Sequence, residues 1–159
     1  MTMNAPQAFA SKDDTGHYVG GKLVNPKDGR FSDVYNPAQG AVARRVALAS
    51  RKDVDAAVAV AQEAFVSWSQ TSPLRRARIM FKFLELMNAN RDELAAIITA
   101  EHGKVFTDAQ GEVTRGLEVV EFACGIPHLL KGGYSEEVST GVDVYSIRQA
   151  LGPIAIISP

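Results

Sequence analysis

The sequence predicts an α/β protein, and three observations carry that prediction. Ile154-Ala-Ile-Ile157 is a short continuous apolar run, mostly β-branched and bracketed by Gly152-Pro153 and Ser158-Pro159. That is the pattern of a strand covered on both faces, as in a parallel sheet. Upstream, apolar residues recur with helical period over most of residues 50–124, and before residue 50 the period is two. A parallel strand needs neighbours reached by crossover connections. The chain therefore reads as the front part of a larger α/β protein.

Residues 1–15 are small and polar, ending in Lys12-Asp13-Asp14-Thr15, and read as a mobile tail. His17–Val24 and Phe31–Tyr35 read as strands, separated by the turn signal Asn25-Pro-Lys-Asp-Gly29. A second turn, Asn36-Pro-Ala-Gln-Gly40, leads into a third strand over Ala41–Leu48. Ser50 and Asp53 then have capping-box spacing, with Asp in the place of the usual Glu or Gln. Val54, Ala57, Val58, Ala61, Phe65 and Trp68 form the stripe of the first helix. Ser72-Pro73 starts a second helix, serine as N-cap and proline at the first helical position. Its stripe runs through Met80, Phe83, Leu84, Met87, Leu94 and Ile98, and Gly103 stops it. A third helix spans about Val105 to Cys124, with Phe106, Ala109, Val113, Leu117, Val120 and Cys124 on one face and Gly125-Ile-Pro127 ending it. Lys131-Gly-Gly-Tyr134 reads as a loop and Val142–Gln149 as an exposed strand.

Charge and cysteine content narrow the function. Lys and Arg number 17 against 18 Asp and Glu, a formal charge of −1, which gives no footprint for nucleic acid or an anionic membrane. No apolar run approaches the roughly 18 residues of a membrane span. The N-terminus has neither a signal-peptide nor a transit-peptide pattern. One cysteine, Cys124, leaves no internal disulfide, and a cytoplasmic location is expected.

Most catalytic motifs are absent from the sequence: it has no His-Glu-x-x-His, Cys-x-x-Cys, Gly-x-Ser-x-Gly or Gly-x-Gly-x-x-Gly. His17, His102 and His128 are scattered and read as structural, and no metal site is expected. Cys124 lies on an apolar stripe and reads as a buried, inert thiol. Gly16-His-Tyr-Val-Gly-Gly21-Lys22 imitates part of a phosphate loop, but Leu23 stands where Ser or Thr should hold magnesium. The segment is itself strand-like, so the match is rejected. Arg115 is the informative cation. It lies off the apolar stripe, beside Gly116 and one turn after Gly111, with room to meet a planar carboxylate. Glu112 and Glu118, at i−3 and i+3, offer the alternative of a surface ion pair. Spacing by itself favours the ion pair.

Several stretches together resemble the aldehyde dehydrogenase superfamily. Val34-Tyr-Asn-Pro-Ala-Gln-Gly40 is similar to its early YNPATG turn, and Glu101-His-Gly-Lys104 to its E-x-GK element. Gly152-Pro-Ile-Ala-Ile-Ile-Ser-Pro159 is similar to the strand entering its FNFP loop. Asp108–Pro127 and Tyr134–Gln149 are more selective and resemble the CoA-acylating methylmalonate-semialdehyde dehydrogenases. The similarity covers about Gly16 to Pro159, the first third of such an enzyme.

The resemblance implies NAD as cofactor and coenzyme A as acyl acceptor, both for the complete enzyme. A cysteine nucleophile would act on malonate or methylmalonate semialdehyde, giving acetyl-CoA or propanoyl-CoA. It implies that Arg115, on the helix bearing Gly-Glu-Val-Thr-Arg-Gly, binds the substrate carboxylate, reversing the preference drawn from spacing. It implies that Ser158, with Ile157 and Pro159, contacts NAD. The expected organisation is a tail over 1–15, the N-terminal part of the NAD-binding domain over 16–136, an oligomerisation-arm strand over 137–151 and the start of a Rossmann-type sheet over 152–159. A homo-oligomer is expected of the complete enzyme. Departures from the pattern are Ala150-Leu-Gly152 for the usual PLG and Pro153 for a small aliphatic residue. No catalytic residue is assigned within the chain, and Cys124 does not match the nucleophile's motif, so the chain alone is expected to be inactive. The alternatives are an aldehyde dehydrogenase that hydrolyses its thioester, and a non-catalytic module that pairs through the Val142–Gln149 strand.

Overall fold

The computed structural model describes residues 14–25 and 29–158. The chain begins with two antiparallel hairpins. β1 (His17–Val19) and β2 (Lys22–Val24) pair across Gly20-Gly21, so the single strand expected over His17–Val24 is folded back on itself. Both turn glycines have positive φ, 59° and 76°, as a two-residue type I′ hairpin turn requires. The Gly-Gly pair that imitated a phosphate loop is thus a hairpin turn. The middle of the expected Asn25–Gly29 turn, residues 26–28, lies outside the described residues.

β3 (Phe31–Tyr35) and β4 (Val42–Ala47) fall where the alternation placed them, joined by the Asn36–Gly40 turn. The Asn36 side-chain oxygen accepts from the amides of Ala38 (2.9 Å) and Gln39 (3.2 Å), and Gly40 takes φ 66°. Asp14 and Thr15, placed at the end of the expected 1–15 tail, are held against β4. Thr15 bridges Val46 of β4, with Thr15 N donating to Arg45 O and Ala47 N donating to Thr15 O, both at 2.8 Å. Asp14 pairs with Arg45, whose guanidinium also stacks 4.8 Å from the Phe31 ring centre. Residues 1–13 of the expected tail lie outside the described residues.

α1 (Arg51–Ser69) starts on the capping box that the Ser50/Asp53 spacing predicts. Asp53 N donates to Ser50 Oγ (3.3 Å) and Ser50 N donates to Asp53 Oδ2 (2.8 Å), satisfying two orphan amides reciprocally. Ser72 caps α2 (Pro73–Ala89), with proline in its first turn. The stripe read as one long helix breaks at Asn90, and α3 (Arg91–His102) begins there. The amides of Asn88 and Asn90 donate to Leu84 O (3.0 Å) and Leu86 O (2.8 Å), closing the end of α2 with side-chain bonds. Gly103 caps α3 in the left-handed conformation, as expected of a helix stop. α4 (Phe106–Cys124) is followed directly by a short helix, α5 (Ile126–Leu129), so Gly125-Ile-Pro127 turns the chain into another helical turn.

The core lies among α2, α3 and α4. Ala95, Ala109, Val113 and Leu117 are buried, and Leu84, Met87, Leu94, Ile98 and Phe106 pack around them. Ala95 and Ala109 have no exposed surface at all, so α3 and α4 approach as closely as two alanines allow. The stripe of α1 is different. Val54, Val58 and Trp68 keep 51%, 47% and 44% of their surface, and no α1 residue is buried. Periodicity identifies an apolar face; it does not supply the layer that covers it.

Three expectations for the C-terminal part are corrected. Tyr134, read as loop, begins a strand: β5 (Tyr134–Ser139) pairs with β6 (Val142–Tyr145), which is shorter than the expected Val142–Gln149. The hairpin therefore straddles the boundary placed at residue 137. Its irregular register is latched by Asp143, which accepts from Glu137 N and from Tyr134 Oη, both at 2.8 Å. Gly152–Ser158 is in no strand, with Leu151 98% and Ile157 99% exposed. A strand exists only through ladder bonds to a neighbour, and none of the described strands pairs with this run. Pro159 lies outside the described residues.

Candidate substrate-binding site

The candidate site is built around Gly103 and the outer face of α4. Two separate stretches meet there. A Cβ on Gly103 would stand 2.9 Å from Pro37 Cγ, so the helix stop packs directly on the Asn36–Gly40 turn. Just before it, Glu101 pairs with Arg44 of β4 at 3.0 Å. Just after it, Lys104 bridges Asp108 (3.0 Å) and Glu112 (2.9 Å) along the first two turns of α4. Residues 101–104 thus join the β3–β4 hairpin, the end of α3 and the start of α4.

α4 turns its apolar stripe inward, burying Ala109, Val113, Leu117 and Cys124. Asp108, Glu112 and Arg115 follow at i, i+4 and i+7, which places them together along the outer face. Asp108 in the first turn complements the helix dipole. The Lys104 hydrogen bond lowers the Glu112 carboxyl pKa, with a smaller contribution from the positive charge of Arg115. In return, hydrogen bonds to Glu112 and then Asp108 raise the Lys104 ammonium pKa. Both shifts keep the pair charged.

Arg115 is exposed, and among the described residues it forms no hydrogen bond or ion pair. The Arg115–Glu112 ion pair that spacing favours is not made; Glu112 is bridged by Lys104. Gly111 has open space around the position of a Cβ, and a Cβ on Gly116 would stand 3.8 Å from Met87 Cε. The guanidinium is therefore available to an anion from outside. Lys104 is what sequence reasoning missed; the i, i+4, i+8 spacing of Lys104, Asp108 and Glu112 would have revealed it.

The other predicted positions are not brought to this face. Ile157 and Ser158 are exposed. They offer an NAD molecule exposed backbone groups and one hydroxyl, a contact surface for part of the cofactor. Cys124 is 7% exposed on the core face of α4, the buried position expected of it. No group of His, Cys, Asp and Glu able to hold a metal occurs among the described residues. No helix among them is long and apolar enough to cross a membrane.

With this geometry in place, comparison with known proteins is direct. Residues 23–159 match the Aldehyde dehydrogenase family, and the chain belongs to it. Within the family, its relatives include malonate-semialdehyde dehydrogenases. That of Bacillus pumilus (strain SAFR-032) is 43% identical over 143 residues, covering 90% of this chain and 29% of that protein. Malonate-semialdehyde dehydrogenase 2 of Bacillus anthracis is 45% identical over the same length, with 90% and 29% covered. Among solved structures, the methylmalonate-semialdehyde dehydrogenase of Oceanimonas doudoroffii superposes with a TM-score of 0.82 at 46% identity, covering 86% of this chain and 28% of that one. A protein of Sinorhizobium meliloti 1021, provisionally assigned the same activity and solved in complex with NAD, gives 0.83 at 49%, covering 87% and 28%. The chain thus spans somewhat under a third of the length of these relatives, and its architecture is an N-terminal part of the aldehyde dehydrogenase fold.

Proposed function

We propose that this chain is the N-terminal portion of an NAD-dependent, CoA-acylating (methyl)malonate-semialdehyde dehydrogenase, giving propanoyl-CoA or acetyl-CoA. One observation carries the reading. Arg115 presents a guanidinium that is unpaired among the described residues on the outer face of α4, between Gly111 and Gly116, while the neighbouring Glu112 is bridged to Lys104. A substrate that is both aldehyde and carboxylate needs a cation at its far end, and a guanidinium can meet the carboxylate with two parallel hydrogen bonds. Relatives named for malonate and methylmalonate semialdehyde support the same substrate class.

The proposed contribution of these residues is binding and orientation. Arg115 holds the carboxylate and so fixes the aldehyde end relative to a cysteine thiolate elsewhere in the enzyme. When bound, NAD would take up the hydride; the acyl group, after the substrate carboxylate has left as CO2, would pass to coenzyme A by thioester exchange. Ser158, Ile157 and Pro159 are proposed NAD contacts. The β5–β6 hairpin, exposed along its whole length with open edges, is proposed to pair with a partner subunit. A cytoplasmic location belongs to the same proposal.

The test in the full-length enzyme is Arg115→Ala, expected to raise KM for malonate semialdehyde about ten- to a hundredfold while sparing propanal, the worth of a charged bidentate contact. An equal effect on both substrates would assign Arg115 a structural role. Product analysis decides the acyl acceptor: acetyl-CoA formed only with coenzyme A present supports acylation, and free acid contradicts it.

A further inference from the structure

We infer that Lys104 is a positioning residue for Arg115: by holding Glu112 from the N-terminal side of α4, its ammonium keeps the Arg115 guanidinium free for an external anion. The inference rests on the carboxylate-binding proposal only for its catalytic consequence.

Arg115 has two acidic neighbours on its own helix, Glu112 at i−3 and Glu118 at i+3. An acid placed N-terminal to its basic partner pairs better on a helix than the reverse order, because both charges then suit the dipole. Glu112 is therefore the stronger competitor for Arg115 and Glu118 the weaker. The structure occupies the stronger one: Lys104 Nζ stands 2.9 Å from Glu112 Oε1 and 3.0 Å from Asp108 Oδ2. The Lys104 side chain is only 19% exposed, against 46% for Glu112, so the ammonium is brought to the carboxylates by a stem that is itself packed. Neither Glu112 nor Glu118 forms an ion pair with Arg115. Two acids thus surround one cation, yet the cation is left open.

Removing the ammonium reverses this. In Lys104→Met the packed stem is kept and the charge is lost, so Glu112 turns to its other neighbour, Arg115. The competing pair is a helical i,i+3 contact in water, which corresponds to about a twofold effect on the availability of the guanidinium.

The experiment uses the 159-residue chain and measures the rate at which phenylglyoxal modifies Arg115, resolved by peptide mapping and normalised to the exposed Arg78 of the same molecule. Lys104→Met is expected to slow Arg115 about twofold, Lys104→Met/Glu112→Gln to restore the original rate, and Lys104→Arg to preserve it. An unchanged rate in Lys104→Met, or a slowed rate that Glu112→Gln fails to restore, overturns the inference. In the full-length enzyme the matching readout is the ratio of KM for malonate semialdehyde to KM for propanal. That ratio is expected to rise about twofold in Lys104→Met and to return in the double variant. Should the modification rates behave as expected while Arg115→Ala affects both aldehydes equally, the carboxylate reading fails and the positioning of Arg115 stands.

Discussion

Gly103→Ala is the perturbation whose cost the structure specifies best. Gly103 ends α3 with φ 81°, a region in which an L-residue carries a penalty of roughly 1–2 kcal/mol. Alanine there also meets an obstacle, because its Cβ would lie 2.9 Å from Pro37 Cγ and 3.2 Å from Pro37 Cβ. A proline ring cannot rotate aside as a flexible chain would, and overpacking of this kind adds about 1–3 kcal/mol. The sum is about 2–5 kcal/mol, a large share of the 5–15 kcal/mol typical of a folded domain. Gly111→Ala provides the contrast. Gly111 lies within α4, has helical φ, and nothing stands within 4 Å of the position its Cβ would take. That substitution should stabilise the chain by about 0.5–1 kcal/mol, because glycine is the poorer helix former. The assay is urea unfolding of the two variants and the parent, followed by far-ultraviolet circular dichroism. Opposite shifts of the midpoint support the packing of residues 101–104 on the Asn36–Gly40 turn. A Gly103→Ala variant as stable as the parent would refute it.

Two other predictions concern the capping box and the single thiol. Hydrogen bonds from the Ser50 side chain and then its backbone lower the Asp53 carboxyl pKa in the folded chain, so the folded state binds fewer protons there than the unfolded state. The stabilisation is complete above the ordinary Asp value and is lost as pH falls through the depressed folded one. Ser50→Ala should cost about 1 kcal/mol at neutral pH, and the difference between variant and parent should narrow in acid as Asp53 is protonated, leaving the part due to Asp53 N donating to Ser50 Oγ; a difference that does not change across the acid range would contradict the contribution of the Asp53 carboxylate. The isolated chain, assayed with NAD, coenzyme A and malonate semialdehyde, should show no turnover; turnover abolished by Cys124→Ser would overturn the placing of Cys124 in the core.

Helices and caps were the most legible features of the sequence, because their signals are local. Ser50 with Asp53, Ser72 with Pro73, and Gly103 all work as their spacing predicts. The break at Asn90 escaped the apolar stripe, which passes through it. Its signal was polar instead: Asn88 and Asn90, followed by Asp92 and Glu93 in the first turn of α3. The Gly20-Gly21 turn had a recognisable pattern, but imitation of a phosphate loop drew attention from it. β5 was hidden because Glu136 and Glu137 are poor strand formers, and the strand depends on Asp143 across the hairpin. The apolar run at Ile154–Ile157 has the pattern of a buried strand, yet the run is exposed and in no strand, because composition does not supply the neighbour a strand needs. For the candidate site, Arg115 was visible in the sequence and the reason it stays open was not. The inferred reason is a bridge made by Lys104 from outside the helix.

The measurement that tests the central claim most directly is the ratio of kcat/KM for malonate semialdehyde to kcat/KM for propanal, in full-length enzyme with and without Arg115→Ala. The account predicts that the ratio falls about ten- to a hundredfold, with the loss carried by KM of the carboxylate substrate. An unchanged ratio would contradict it, whatever the absolute activity of the variant.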